Sequence, residues 1–77
     1  MDYADSELDV RGLKCPLPIL RTKKALATMA SGQVLKVLAT DPSAVKDFEA
    51  FTRQTGHELI QSTTGEGEEL VFLLRRK

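Results

Sequence analysis

The stretch Val34-Leu35-Lys36-Val37-Leu38-Ala39 is apolar at every position but one, and a run of that kind suits a strand with neighbours on both sides rather than one at an edge. The rest of the chain must then supply flanking strands and a layer to cover a sheet face. Seventy-seven residues provide material for one domain, residues 1–77, which buries about 60 to 65% of the surface its unfolded chain exposes.

The flanking segments read as those partners. Leu8 and Val10 alternate with Glu7, Asp9 and Arg11 before Gly12, the period-two pattern of a half-buried first strand. From Cys15 a helical pattern begins, with Ile19, Leu20, Leu26, Ala27 and Ala30 on one face, Arg21, Thr22 and Thr28 elsewhere, and Gly32 as its stop. After the central strand, Asp41 is expected to cap a second helix with Pro42 in its first position. Ala44, Val45, Phe48, Phe51 and Thr52 repeat at helical spacing up to Gly56. Leu59 and Ile60 belong to a third strand, Gly65-Glu66-Gly67 to a hairpin turn, and Leu70 to Leu74 to a fourth strand. The order is βαβαββ. Right-handed crossovers place both helices on one face of the sheet, a two-layer α+β sandwich with its other face partly open. Only the first half-dozen residues and the Arg75-Arg76-Lys77 tail are expected to fray.

Composition excludes several functions. No window approaches the ~18 apolar residues of a membrane span, and Met1 to Glu7, with Asp2, Asp5 and Glu7, lacks the plan of a secretory signal. The expected location is the cytoplasm. The single cysteine forms no internal disulfide, which fits a reducing compartment. Arg11, Lys14, Arg21, Lys23 and Lys24 fall in a stretch with no acid, leaving six basic against eleven acidic residues elsewhere. Such asymmetry steers partners of opposite sign. Three Phe, one Tyr and no Trp offer little for stacking bases, so nucleic acid is not the expected direct ligand. One Cys and one His cannot build a four-ligand zinc site; no metal or cofactor is expected, and His57 reads as structural. Gly65-Glu66-Gly67 is too acidic for a phosphate loop and opens no helix.

The chemistry points to Cys15. Pro16 and Pro18 follow it at 16 and 18, and proline is tolerated in the first helical turn, where its missing N–H had no partner. With Cys15 as the cap, the N–H groups of Cys15 and Leu17 remain near the sulfur. The helix dipole, Lys14 and Arg11 are then expected to favour the thiolate and lower its pKa from about 8.5. The blander reading, an inert buried cysteine, suits a loop-to-helix junction poorly.

The pattern Leu8-Asp9, Arg11-Gly12 and then Cys15-Pro16-Leu17-Pro18 opening a helix resembles the TusA/SirA-like sulfur-carrier family, typified by the tRNA 2-thiouridine synthesizing protein A. The likeness runs from Leu8 to the C-terminus. It implies a mixed sheet ordered 1-2-4-3. Cys15 would hold sulfane sulfur as a persulfide, and Asp9, Gly12, Pro16 and Pro18 would shape its loop. A cysteine desulfurase or rhodanese-like protein would donate the sulfur and an acceptor protein would receive it, for tRNA thiolation, cofactor sulfuration or sulfur metabolism. Arg11, Lys14, Arg21, Lys23 and Lys24 are the candidate docking residues of a protein expected to be monomeric. Two other readings compete. One is an interaction module using the open sheet face with Cys15 incidental; the other is a thiol redox sensor.

Overall fold

The computed structural model describes residues 4–65 and 67–77. Its elements are β1 (Ser6–Asp9), α1 (Leu17–Ala27), β2 (Val34–Ala39), α2 (Ala44–Thr55), β3 (Glu58–Thr64) and β4 (Leu70–Arg75). They form one mixed sheet in the order β1-β2-β4-β3. The apolar run of β2 is indeed interior: β1 pairs with it in parallel and β4 antiparallel, while β3 closes the far edge against β4.

Strand alternation sends Leu35, Val37, Ala39, Phe72 and Leu74 to the helical layer, where they join Val10, Leu26, Ala44, Phe48 and Phe51 in one core. Phe48 of α2 stacks on Phe72 of β4 with ring centroids 4.5 Å apart, an offset arrangement that adds to simple burial. The opposite sheet face carries Lys36, Leu38, Val71 and Leu73. It is less open than its pattern suggests, because Leu73, in register between Lys36 and Gln61, is only 5% exposed.

Helix α2 follows its sequence pattern, with Ala44, Phe48, Phe51 and Thr52 buried and Gly56 ending it at a φ of +86°, the left-handed conformation that glycine adopts without strain. It starts two residues later than expected. Asp41 Oδ1 accepts the Ser43 N–H at 3.0 Å, so Asp41 closes a turn ahead of the helix instead of capping it, and Pro42 lies in that turn.

Helix α1 departs further. It ends at Ala27, with Thr28 as its C-cap, well before Gly32. Its buried stripe is Pro18, Thr22 and Leu26. Leu20, expected inside, is 54% exposed, and Thr22, expected outside, is fully buried; Ala27 and Ala30 are exposed as well. The positions i, i+4 and i+8 from Pro18 share one face, while Leu26 and the partly buried Ile19 pack on the core as the apolar spacing suggests.

The Thr22 hydroxyl has no hydrogen-bond partner among the described residues. Burying a hydroxyl unsatisfied costs about 1 to 3 kcal/mol, so Thr22→Val is expected to stabilise the protein. A gain of about 1 kcal/mol would raise Tm by roughly 4 to 8 °C in a domain of this size, read by differential scanning calorimetry; a lower Tm contradicts the assignment.

Neither terminus frays as expected within the described residues; residues 1–3 lie outside them. Asp5 and Val34 exchange hydrogen bonds of 2.8 Å, backbone N–H to carbonyl in one direction and Val34 N–H to carboxylate in the other. Arg75 is the last residue of β4, and Arg76 pairs by backbone with Gly32 and Gln33. The hairpin is closed by Gly65 N–H to Glu69 carbonyl at 2.7 Å; Glu66 lies outside the described residues.

Candidate functional site

Strands β1 and β2 are parallel neighbours, so the loops leaving their carboxyl ends meet at one edge of the sheet, the edge from which both helices start. In open sheets that edge is where sites are built. Here it brings the loop before α1 against residues 40–43.

Within the first loop, Val10 N–H donates to Leu38 carbonyl at 2.8 Å. Gly12 turns the chain at a φ of +82° and gives its N–H to Thr40 Oγ1 at 2.9 Å. Asp9 grips Arg11 by three bonds: its carboxylate takes the Arg11 Nε–H and NH2 donors at 2.9 Å each, and the Arg11 backbone N–H at 3.0 Å. Arg11 also donates to Glu69 at 3.1 Å, fastening the loop to the hairpin. These bonds from Arg11 hold the Asp9 carboxyl down to about 2. The clamp is therefore intact through the ordinary carboxylate range and is lost only as pH falls toward that value.

The next turn carries the cysteine. The Cys15–Pro16 peptide is cis, and Leu17 N–H donates to Lys14 carbonyl at 2.8 Å, a four-residue turn with cis-proline in its third position. Pro16 stands at the N-cap, and Pro18 is buried in the first turn of α1. Cys15 is exposed.

The surroundings of the sulfur correct the expectation of a depressed pKa. The Leu17 N–H serves Lys14, and the Cys15 N–H donates to Asp41 Oδ2 at 2.8 Å, so neither amide is directed to the sulfur. Arg11 is neutralised by Asp9 and Glu69. What faces the thiol is negative: a hydrogen bond to the Asp47 carboxylate, partial desolvation, and the charges of Asp47 and Asp41 push its pKa up. Asp41 itself is held below the usual carboxylate range, first by the Cys15 and Ser43 amides and lastly by Lys14. Ser43 Oγ reaches Asp47 at 3.4 Å, which links the two acids. Asp41 and Asp47, at the start of α2, are the residues that reading the chain linearly missed; the signal was the parallel β1–β2 pairing, which sets the turn after β2 beside the cysteine loop.

With its pKa raised, Cys15 should alkylate with a pH profile displaced above that of a free thiol, which titrates near 8.5. Asp47→Asn removes the charge that raises the thiol pKa most, and the reaction with iodoacetamide at neutral pH is expected to accelerate several-fold. An unchanged or slower rate would remove Asp47 from the site.

The candidate docking cations do not form one patch. Lys14 flanks Cys15. On α1, Leu17, Leu20, Arg21 and Lys24 are all exposed and share one helix face, adjoining the cysteine. Lys23 lies instead on the side facing α2 near its C-terminal end, where it lines a cavity. His57 accepts the Lys77 N–H on Nδ1 at 3.1 Å, and burial with Arg76 and Lys77 nearby lowers its pKa. Among the described residues no three His, Cys, Asp or Glu side chains group as metal ligands.

Fold and site together define a small two-layer α+β protein built around one exposed thiol at the helix-start edge of its sheet. The chain belongs to the TusA family: residues 6–76 match the family described as Sulfurtransferase TusA. It is 60% identical over 72 residues to the sulfur carrier protein TusA of Allochromatium vinosum, covering 94% of this chain and 93% of that one. A putative sulfur carrier protein of Neisseria meningitidis is 67% identical over 60 residues, 78% of this chain and 81% of its own. Among solved structures, the SirA-like protein of Desulfitobacterium hafniense superposes with a TM-score of 0.80, covering 91% of this chain and 95% of that chain at 22% identity, which bears out the fold and the sheet order.

Proposed function

We propose that this protein is a sulfur carrier that accepts sulfane sulfur on Cys15 as a persulfide and relays it to an acceptor protein. The observation that carries the proposal is an exposed thiol in a chain with no second cysteine. A resolving cysteine would discharge a persulfide as an internal disulfide; a lone thiol holds its cargo. The name of the 60% identical relative, a sulfur carrier, supports the same reading.

Loading is a thiol exchange. The Cys15 thiolate attacks the outer sulfur of a donor persulfide, a bond forms between the two sulfurs, the donor's S–S bond breaks, and the donor leaves as its thiolate with the electron pair. No net oxidation occurs and no cofactor enters. Discharge is the same step run toward an acceptor thiol. The donor is a cysteine desulfurase or rhodanese-like protein, and the product is thiolated tRNA, a sulfurated cofactor or a sulfur metabolite. No helix among the described residues is long and apolar enough to cross a membrane, and the proposed setting is the cytoplasm.

The raised thiol pKa gives docking a chemical role. With Asp47 and Asp41 beside it, Cys15 rests as the protonated thiol. A partner that sets a cation against Asp47 removes the repulsion and releases the thiolate where the donor sulfur is waiting. Leu17 and Leu20 offer that partner an apolar contact, and Arg21 and Lys24 offer charge for steering.

Incubation with excess inorganic polysulfide, followed by intact-mass measurement, should show a gain of about 32 Da per sulfur added that dithiothreitol reverses. No gain, or one that survives the reductant, would reject the carrier.

A further inference from the structure

A cavity of about 230 Å³ opens where the C-terminal parts of α1 and α2 come together, at the opposite end of the helices from Cys15. Leu26, Ala27 and Phe51 line its apolar part. Around them stand Lys23, Arg76, Lys77 and His57, with no acidic side chain in the lining. Each of the three ion pairs among the described residues uses Arg11 or Arg75, so Lys23, Arg76 and Lys77 have no acidic side chain paired with them there.

The Arg76 guanidinium and the backbone of Lys77 are held in place. Arg76 Nε donates to the Leu26 carbonyl and NH1 to the Lys77 carbonyl, at 2.8 and 2.9 Å. Lys77 is fixed at its backbone by His57 Nδ1, and the His57 ring stands 5.8 Å from that of Phe51. Arg76 thereby borders the last turn of α1, where a cation complements the helix dipole; that role accounts for one positive charge but not for four basic groups around an apolar floor.

We propose that this cavity is a second docking site, which takes one large apolar side chain presented on an acidic segment of a partner protein. The volume is below the roughly 300 Å³ at which small-molecule sites begin, and it suits a single anchor residue of the kind that centres protein interfaces. The basic rim supplies the complementary charge for the flanking acids. Leu26 lies nine residues beyond Leu17 along α1, about 14 Å at 1.5 Å per residue, so an occupant here leaves Cys15 free for exchange. A carrier that two proteins must hold in succession could be gripped by one at this groove while the other reaches its thiol.

The test uses the full chain, labelled with 15N, and a blocked pentapeptide with phenylalanine between two acidic residues on each side. Titration should move the amide signals of Leu26, Phe51, Thr55 and His57, and the histidine pKa should rise as the bound carboxylates offset Arg76 and Lys77. Replacing the peptide's acids by glutamine, or its phenylalanine by alanine, should weaken binding about tenfold each. K23E with K77E, both exposed positions, should do the same, while the iodoacetamide rate of Cys15 stays unchanged. Equal binding of the neutral peptide, shifts centred on Cys15 to Leu20, or no binding at millimolar peptide would overturn the proposal. So would 3-phenylpropionate binding as tightly as the peptide, which assigns the cavity to a small carboxylate, or concentration-dependent dimerisation, which assigns it to a second copy. Loading of Cys15 by polysulfide is read separately, so the two conclusions fail independently.

Discussion

Cys15→Ser is expected to abolish sulfur loading, leaving the intact mass unchanged under conditions that add about 32 Da to the wild-type chain. The reason lies in the nucleophile. Attack on a sulfane sulfur needs a soft anion, which a thiol supplies at accessible pH and a serine hydroxyl does not. The substitution should leave the fold intact, because the side chain is exposed and its structural bond, N–H to Asp41 Oδ2, belongs to the backbone. Its Tm should thus stay close to wild type, in keeping with the ~0.5 kcal/mol scatter of surface substitutions. A mutant labelled as fully as the wild type would place the reactive group elsewhere.

Phe48→Ala is expected to cost a large fraction of the stability of the protein. Phe48 is fully buried, stacks on Phe72, and is the large side chain by which α2 holds the middle of the sheet. Truncating a buried phenylalanine typically costs about 3 to 5 kcal/mol. A 77-residue chain at the usual stability per residue has about 4 to 11 kcal/mol in total. Urea unfolding followed by far-UV circular dichroism should show the midpoint fall by roughly half. A midpoint close to wild type would mean that the two layers are held by something other than this contact. The variant should also lose the order of the cysteine site, since Asp41 and Asp47 reach Cys15 only while α2 is docked.

The architecture was legible because its signals are local and agree with one another. The run Val34–Ala39 identified the central strand, Phe48 and Phe51 with their helical neighbours identified α2, and the glycines marked the turns. Helix α1 was harder, since two stripes compete along it. One, through Ile19 and Leu20, is richer in large apolar groups, but only Ile19 of the two packs against the core. The other, through Pro18, Thr22 and Leu26, is the one that packs, and the choice depends on where the chain enters from the Cys15–Pro16 turn. Propensity and periodicity do not carry that information.

The location of the thiol was legible and its electrostatics were not. Arg11 and Lys14 lie near Cys15 in the chain, but Asp9, two residues before Arg11, occupies the guanidinium, and the groups that face the sulfur come from 41 and 47. A charge 26 or 32 positions away enters the site only through the parallel pairing of β1 with β2. The C-terminal tail misled for a related reason: a basic tripeptide reads as solvated, yet Arg76 is bound to the Leu26 carbonyl and to the loop before β2.

The central claim is that Cys15 carries a transferable sulfur, and cyanolysis of the loaded protein measures it most directly. Cyanide accepts only sulfane sulfur, leaving as thiocyanate and returning the carrier thiolate. After loading with isotopically labelled polysulfide and removal of the excess, the account predicts labelled thiocyanate in an amount equal to the singly loaded chains, with the protein regaining its unloaded mass. Label that stays on the protein after cyanide, or that is released in the same amount from Cys15→Ser, would contradict it.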